Sequence, residues 1–329
     1  MEIKLLCGSR NFLIDKSVKN FQIDDFVIST DRDILFKLFG ETEFISKAGL
    51  NSIPILEKYP YFVSIGEADH YLSNTDILTE DRLSEKKLEL LQFFIFCLWF
   101  IRDNSANSDH LYTYVLEKKL VFSRTRTIVF SNSNGEYVDT QFSINDINTA
   151  KDICYRLFEL RTTEIKKEKE DEVKDYNKIK TGDFNYILYS SQNRIDRAIL
   201  FLTLARSNSY LPLKISFYIA IYEALFTTEN TEVSHKVTER ATFFLGGDFE
   251  TKLKNFKIIK TAYNIRSKFV HGQQLDKKKI KTKEDLICLS NQIDTLTRDL
   301  LNKIIKTDSN IFLLDDEKLN EWFNQLILK

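Results

Sequence analysis

Hydrophobic positions change their spacing once along the chain. Up to about residue 160 they come in short β-type runs at Phe26–Thr30, Tyr61–Ile65, Leu111–Leu116, Lys119–Ser123 and Thr127–Ser131. Such runs, bounded by polar clusters, predict strands. Asn134-Gly135 then precedes Tyr137–Phe142, which predicts a hairpin with a two-residue turn. Leu83–Arg102 predicts a buried helix and Ile144–Leu160 another. Between Arg161 and Lys180 the chain turns charged and poor in apolar residues (RTTEIKKEKEDEVKDYNKIK), the composition of a linker or of an exposed helix that marks the domain boundary.

From about Asp183 to Asp308 the period is helical. Ile195, Ala198, Ile199, Leu202 and Ala205 define a first helix, Gln192–Arg206. A second starts near Pro212, which suits a first turn, and is apolar on nearly all sides through Phe226, which predicts a central position. A third, Val233–Leu245, stops at Gly246-Gly247. A fourth follows the N-cap Asp248 and runs to His271, before Gly272. A fifth, Glu284–Lys306, aligns Leu286, Leu289, Ile293, Leu296, Leu300 and Ile304. The expected class is α+β: a mixed N-terminal domain over 1–160, a charged linker over 161–182, an antiparallel helical bundle over 183–308, and a C-terminal tail over 309–329. No internal repeat is present.

Length agrees with this division, since 329 residues at roughly 100–200 per domain make about two. Only 9 Gly and 3 Pro favour long helices over a many-turned β fold. No G-x-G-x-x-G or G-x-x-x-x-G-K-[ST] cradle for phosphates occurs. Cys7, Cys97, Cys154 and Cys288 form no C-x-x-C, so neither a zinc ribbon nor a disulfide framework is expected, and no cofactor is implied. The longest apolar run, Leu88–Ile101, has 14 residues and includes Glu89 and Gln92, whereas a membrane span needs about 20. With no signal peptide evident, a soluble cytoplasmic protein is expected. Trp99 and the phenylalanines of Leu88–Ile101 read as core. Asp69-His70 lacks the G-x-S-x-G elbow that a hydrolase would add, and His70, His110 and His235 read as surface or structural.

Charge is unevenly placed. The net charge is −1, yet Lys252–Lys283 holds 11 basic residues against Asp276 alone, leaving +10 there and −11 elsewhere. A solvated helix face with a lysine-rich loop explains this, and so does a polyanionic partner. Within the fourth helix, Arg266 interrupts an apolar stripe of Leu253, Phe256, Ile259, Ala262, Tyr263, Phe269 and Val270. A cation facing a bundle interior needs a partner or a function. Glu223, with Lys214 the only charged residues of Leu211–Phe226, is a candidate acceptor for Arg266 or for Arg240. His271 follows Arg266 by five residues, about 140° around the axis. A histidine in a last turn is favoured by the helix dipole alone, and Arg266 has an ion-pair role open to it as well.

IYEALF (Ile221–Phe226), SHKVTERATFFLGG (Ser234–Gly247) and AYNIRSKFVHG (Ala262–Gly272), in that order, resemble the Apea-like branch of the HEPN superfamily. That family's R-x4–6-H element reads Arg266-x4-His271 here. The likeness covers about Asp183–Lys306. Many HEPN nucleases have Asn, Asp or His directly after the arginine, where this chain has Ser267. The resemblance implies a metal-independent endoribonuclease, of the kind found in antiphage or toxin systems. Arg266 would hold the scissile phosphate. His271 would serve as base on the 2′-OH or acid to the leaving 5′-oxygen, roles open to an imidazole. Glu223, Arg240, Asn264, Ser267 and Lys268 are the expected supporting residues, and Lys260, Lys277, Lys278 and Lys279 the expected RNA-backbone contacts. No metal set is implied. A homodimer would bring two Arg–His pairs together, and the N-terminal half would sense a trigger or partner. The competing reading is an inactive HEPN scaffold that dimerises and binds RNA or nucleotide. A DNA-binding regulator finds no helix-turn-helix signature.

Overall fold

A computed structural model describes residues 2–15, 21–49, 56–67, 80–108, 110–125, 128–161, 192–229, 231–275 and 280–328. The chain is α+β and divides into two compact units. Among the described residues the first holds 2–130 and 137–154, the second 131–136, 155–161 and 192–328.

The first unit is built on an antiparallel sheet. Its strands are β1 (Glu2–Gly8), β3 (Phe21–Ile23), β4 (Phe26–Ser29), β5 (Tyr61–Glu67), β6 (His110–Val115) and β7 (Leu120–Thr125), in the order β3-β4-β5-β1-β6-β7. β1 is central, with Leu6 opposite Val63 on one side and Tyr112 on the other. One face packs Leu6, Tyr61, Tyr112 and Tyr114 against Leu35, Phe39 and Phe44 of two short helices, α1 (Arg32–Phe39) and α2 (Thr42–Ala48). The other face meets α3 (Glu80–Cys97): Phe62 lies edge-on to Phe94, and the hydroxyls of Thr113 and Ser84 are 2.6 Å apart. A strand covered on both sides carries no alternation, and β1 is buried from Ile3 to Gly8.

The predicted hairpin does not form. Residues 128–139 are irregular, and only β8 (Thr140–Phe142) is a strand; it pairs in parallel with β2 (Phe12–Ile14). The backbone groups that a hairpin would use are taken by side chains and a helix end. Asn107 accepts from Phe130 N–H and donates to its carbonyl, at 2.7 and 3.0 Å. Ser131 N–H donates to the carbonyl of Arg206, at 2.8 Å. Asn132 Oδ1 accepts from the N–H groups of Asn134 and Glu136. The Asn-Gly turn signal is obeyed, with Gly135 at φ +79°, but the turn serves an asparagine-organised loop. The helix α4 (Ile144–Leu160) forms as expected, and the boundary between units falls inside it, after Cys154, rather than at 160. The expected linker lies outside the described residues beyond Arg161.

The second unit contains α5 (Arg194–Arg206), α6 (Leu211–Phe226), α7 (Val233–Leu245), α8 (Phe249–Val270), α9 (Lys283–Lys303) and α10 (Asp316–Leu328). Its helix ends follow local chemistry. Asn193 and Asp248 accept hydrogen bonds from first-turn N–H groups, Thr282 and Asp285 form a capping box, and Gly246 ends α7 at φ +77°. α6 is central as its all-round apolar character predicts, packing on α5, α7, α8 and α9. The expected C-terminal tail is instead part of the core. Phe312, Leu319 and Phe323 are buried, and the i, i+4 spacing of Leu319 and Phe323 gives α10 its inner face.

Buried phenols make the fold sensitive to alkali. The hydrogen bond to Glu41, aided by burial, pushes Tyr114 up to about 12. Burial likewise pushes Tyr222 and Tyr263 well above the usual phenol range. Each contributes stability that is complete below the unfolded value near 10 and is lost as pH rises through the folded value. The melting temperature is therefore expected to fall steeply from about pH 10 to pH 12, and to fall less in Tyr114→Phe, as measured by circular dichroism melts across that range.

Candidate functional site

The arginine within the α8 stripe finds its partner on α6. Arg266 Nη2 donates to Glu223 Oε2 at 3.1 Å, while the hydroxyl of Tyr263 donates to Glu223 Oε1 at 2.8 Å. Arg266 and Tyr263 are three residues apart and so share one face of α8. Glu223 thus bridges the two. Arg266 keeps a third of its side-chain surface exposed, and the rest of its guanidinium makes no hydrogen bond to a described residue. One edge of the fork is anchored and the other is open, the arrangement needed to take up an anion without losing orientation.

Five residues on, His271 is the C-cap of α8 and is exposed. Its own N–H donates to Ser267 O, Gly272 N–H to Phe269 O and Gln273 N–H to Lys268 O, with Gly272 at φ +65°. The last two bonds make a Schellman motif. The backbone here is fixed by the helix end, while the imidazole makes no hydrogen bond to a described residue. Arg266 and His271 are not joined within one chain: the first turns toward α6, the second toward solvent.

The other expected site residues divide. Ser267 is exposed and Lys268 half-buried in the same turn. Asn264 is half-buried, and its Oδ1 accepts no hydrogen bond from a described residue. Lys260 is exposed one turn earlier and donates to Ser234 Oγ at 3.2 Å. Lys277, Lys278 and Lys279 lie outside the described residues. Arg240 does not reach Glu223. It donates to Phe226 O and Thr228 Oγ1 at 2.8 and 2.9 Å and to Asn320 Oδ1 at 2.5 Å, over the ring of Phe323. Its role is to tie α7 to α10, a helix absent from the expected fold. Tyr263 is the one member of the cluster not singled out from sequence; a tyrosine on an inward stripe needs a partner for its hydroxyl, and that was its signal.

Among the remaining histidines, His70 lies outside the described residues, His110 stacks on Tyr112, and His235 lies edge-on to Phe256. Among the described residues no group of three or more His, Cys, Asp or Glu is placed to hold a metal ion, and no helix is long and apolar enough to cross a membrane. No protein-family model, curated protein or solved structure matches the chain.

Proposed function

We propose that the chain is a metal-independent endoribonuclease of the HEPN type, acting in the cytoplasm as an antiphage or toxin-like effector. The observation that carries this reading is the half-anchored guanidinium of Arg266 on the same helix end as the exposed imidazole of His271. The open edge of Arg266 binds a non-bridging oxygen of the scissile phosphate and stabilises the charge that grows there. Glu223, held in turn by Tyr263, sets the direction of that edge. The 2′-oxygen loses its proton to a base, attacks the phosphorus and displaces the 5′-oxygen, which takes a proton from an acid. The products are a 2′,3′-cyclic phosphate and a 5′-hydroxyl end.

That scheme uses an acid and a base, and one chain supplies a single imidazole at the site. Two copies related by a two-fold axis supply both. Lys260 and Lys268 draw in the RNA backbone in a salt-dependent way. The first unit senses a trigger or restrains the nuclease. Four free cysteines, three of them buried, agree with a reducing compartment.

The test incubates the purified chain, with its mass in solution measured in parallel, with single-stranded RNA and DNA in EDTA. RNA cleavage by a dimer with DNA left intact is expected, because DNA lacks the attacking 2′-OH. RNA binding without cleavage replaces the nuclease with an inactive scaffold.

A further inference from the structure

The short connection between α5 and α6 displays a tyrosine in the open. Tyr210 is 62% exposed. Its backbone, however, is held. Its carbonyl accepts from Lys214 N–H, and Pro212 stiffens the first turn of α6. One residue earlier the carbonyl of Ser209 lies so close to Gly135 that an added Cβ would come within 2.3 Å of it. The carbonyl of Asn208 accepts from the hydroxyl of Ser131 at 2.8 Å. An aromatic ring presented from a fixed backbone loses little freedom when a ligand covers it.

The ring leans on Phe269, with centroids 5.8 Å apart and planes at 56°. Phe269 stands three residues after Arg266 and two before His271, so the ring that backs Tyr210 lies in the same last turn and a half of α8 and its cap as both candidate catalytic groups. The end of α8 beside the pair is cationic: it carries Arg266 and Lys268, and the helix has no acidic residue after Glu250. A ligand with both a flat π surface and phosphates complements this patch. Stacking of unpaired bases on aromatic rings, with the backbone tracked by cations, is how single strands are held. A lipid surface would need a wide apolar face, whereas among the described residues at this end of α8 Val270 is exposed beside the polar Ser267 and His271, which are exposed as well.

We propose that Tyr210, backed by Phe269, is a stacking platform for an unpaired base of single-stranded RNA next to the phosphate held by Arg266. The proposal rests on the endoribonuclease reading and adds the form of the substrate. A duplex hides its base faces in the stack, so loops and single strands are selected over helices.

The test measures Kd for the full-length wild type, Tyr210→Ala and Tyr210→Phe. The probes are a 2′-O-methyl single strand, which cannot undergo 2′-OH attack, and the same strand annealed to its complement. Tyr210→Ala is expected to weaken single-strand binding about tenfold or more, with Tyr210→Phe within about twofold of wild type and duplex binding unchanged. Equal single-strand binding by wild type and Tyr210→Ala overturns the platform, and so does a loss in Tyr210→Phe as large as in Tyr210→Ala. Unmodified RNA is cut in parallel. If wild type cuts and Tyr210→Ala cuts equally well at low RNA concentration, the platform fails and the nuclease stands. A wild type that neither cuts nor binds RNA ends both.

Discussion

Alanine at His271 is expected to lower RNA cleavage about 10²–10⁴-fold, the usual contribution of a positioned acid or base, while thermal unfolding stays where it was. The two readouts separate because of where the residue sits. His271 caps α8 through its backbone, and its exposed imidazole makes no hydrogen bond to a described residue. Arg266→Ala is expected to remove cleavage to a similar degree, through lost stabilisation of the phosphate. Its effect on stability is expected to be about 1 kcal/mol or less, because the pair with Glu223 is partly solvated. Arg266→Lys keeps the charge but loses the fork that contacts Glu223 and phosphate together, so little activity should return. Gel assays of RNA cleavage beside calorimetric melts check all three. Cleavage unchanged in His271→Ala removes this residue from the chemistry.

Phe226→Ala is expected to be the most damaging single change to the helical unit. Phe226 ends α6 with no exposed surface, and its ring meets Phe244, Phe312 and Phe323 at 5.4–5.8 Å. Truncation leaves a cavity bordered by three rings and costs about 3–5 kcal/mol. The melting midpoint should then drop by on the order of 10 °C. Phe226→Leu fills most of the gap and should cost far less, about 1–2 kcal/mol. Urea denaturation followed by far-UV circular dichroism checks both, and a cost below about 1 kcal/mol for Phe226→Ala would mean that this cluster does not hold α10 in place.

The ends of α6, α7 and α8 were legible because single residues mark them: Pro212, Gly246, Asp248 and Gly272 each act within one turn of chain. β1 was not legible. Burial on both faces erases alternation, and Lys4 breaks the apolar run; its amine is satisfied by the carbonyl of Leu38, 34 positions away. The helices α1 and α2, of 8 and 7 residues, are too short to establish a period. The failed hairpin shows the limit of a turn signal: Asn134-Gly135 makes the turn, but Asn107 and Arg206 decide what the flanking backbone bonds to.

The site divides in the same way. Arg266 facing Glu223 follows from helical spacing and from the scarcity of charge on α6. Arg240 was open to the same partner by sequence, and it goes instead to Asn320, 80 residues later, on a helix with no place in the expected bundle. Long-range polar pairing of this kind leaves no local trace.

The most direct test of the nuclease account is the chemistry of the ends left on RNA cut by the full-length protein in EDTA. It predicts 2′,3′-cyclic phosphate and 5′-hydroxyl termini, with any linkage after a 2′-deoxynucleotide left uncut. Termini carrying a 3′-hydroxyl and a 5′-phosphate, or cutting after a 2′-deoxynucleotide, would contradict it.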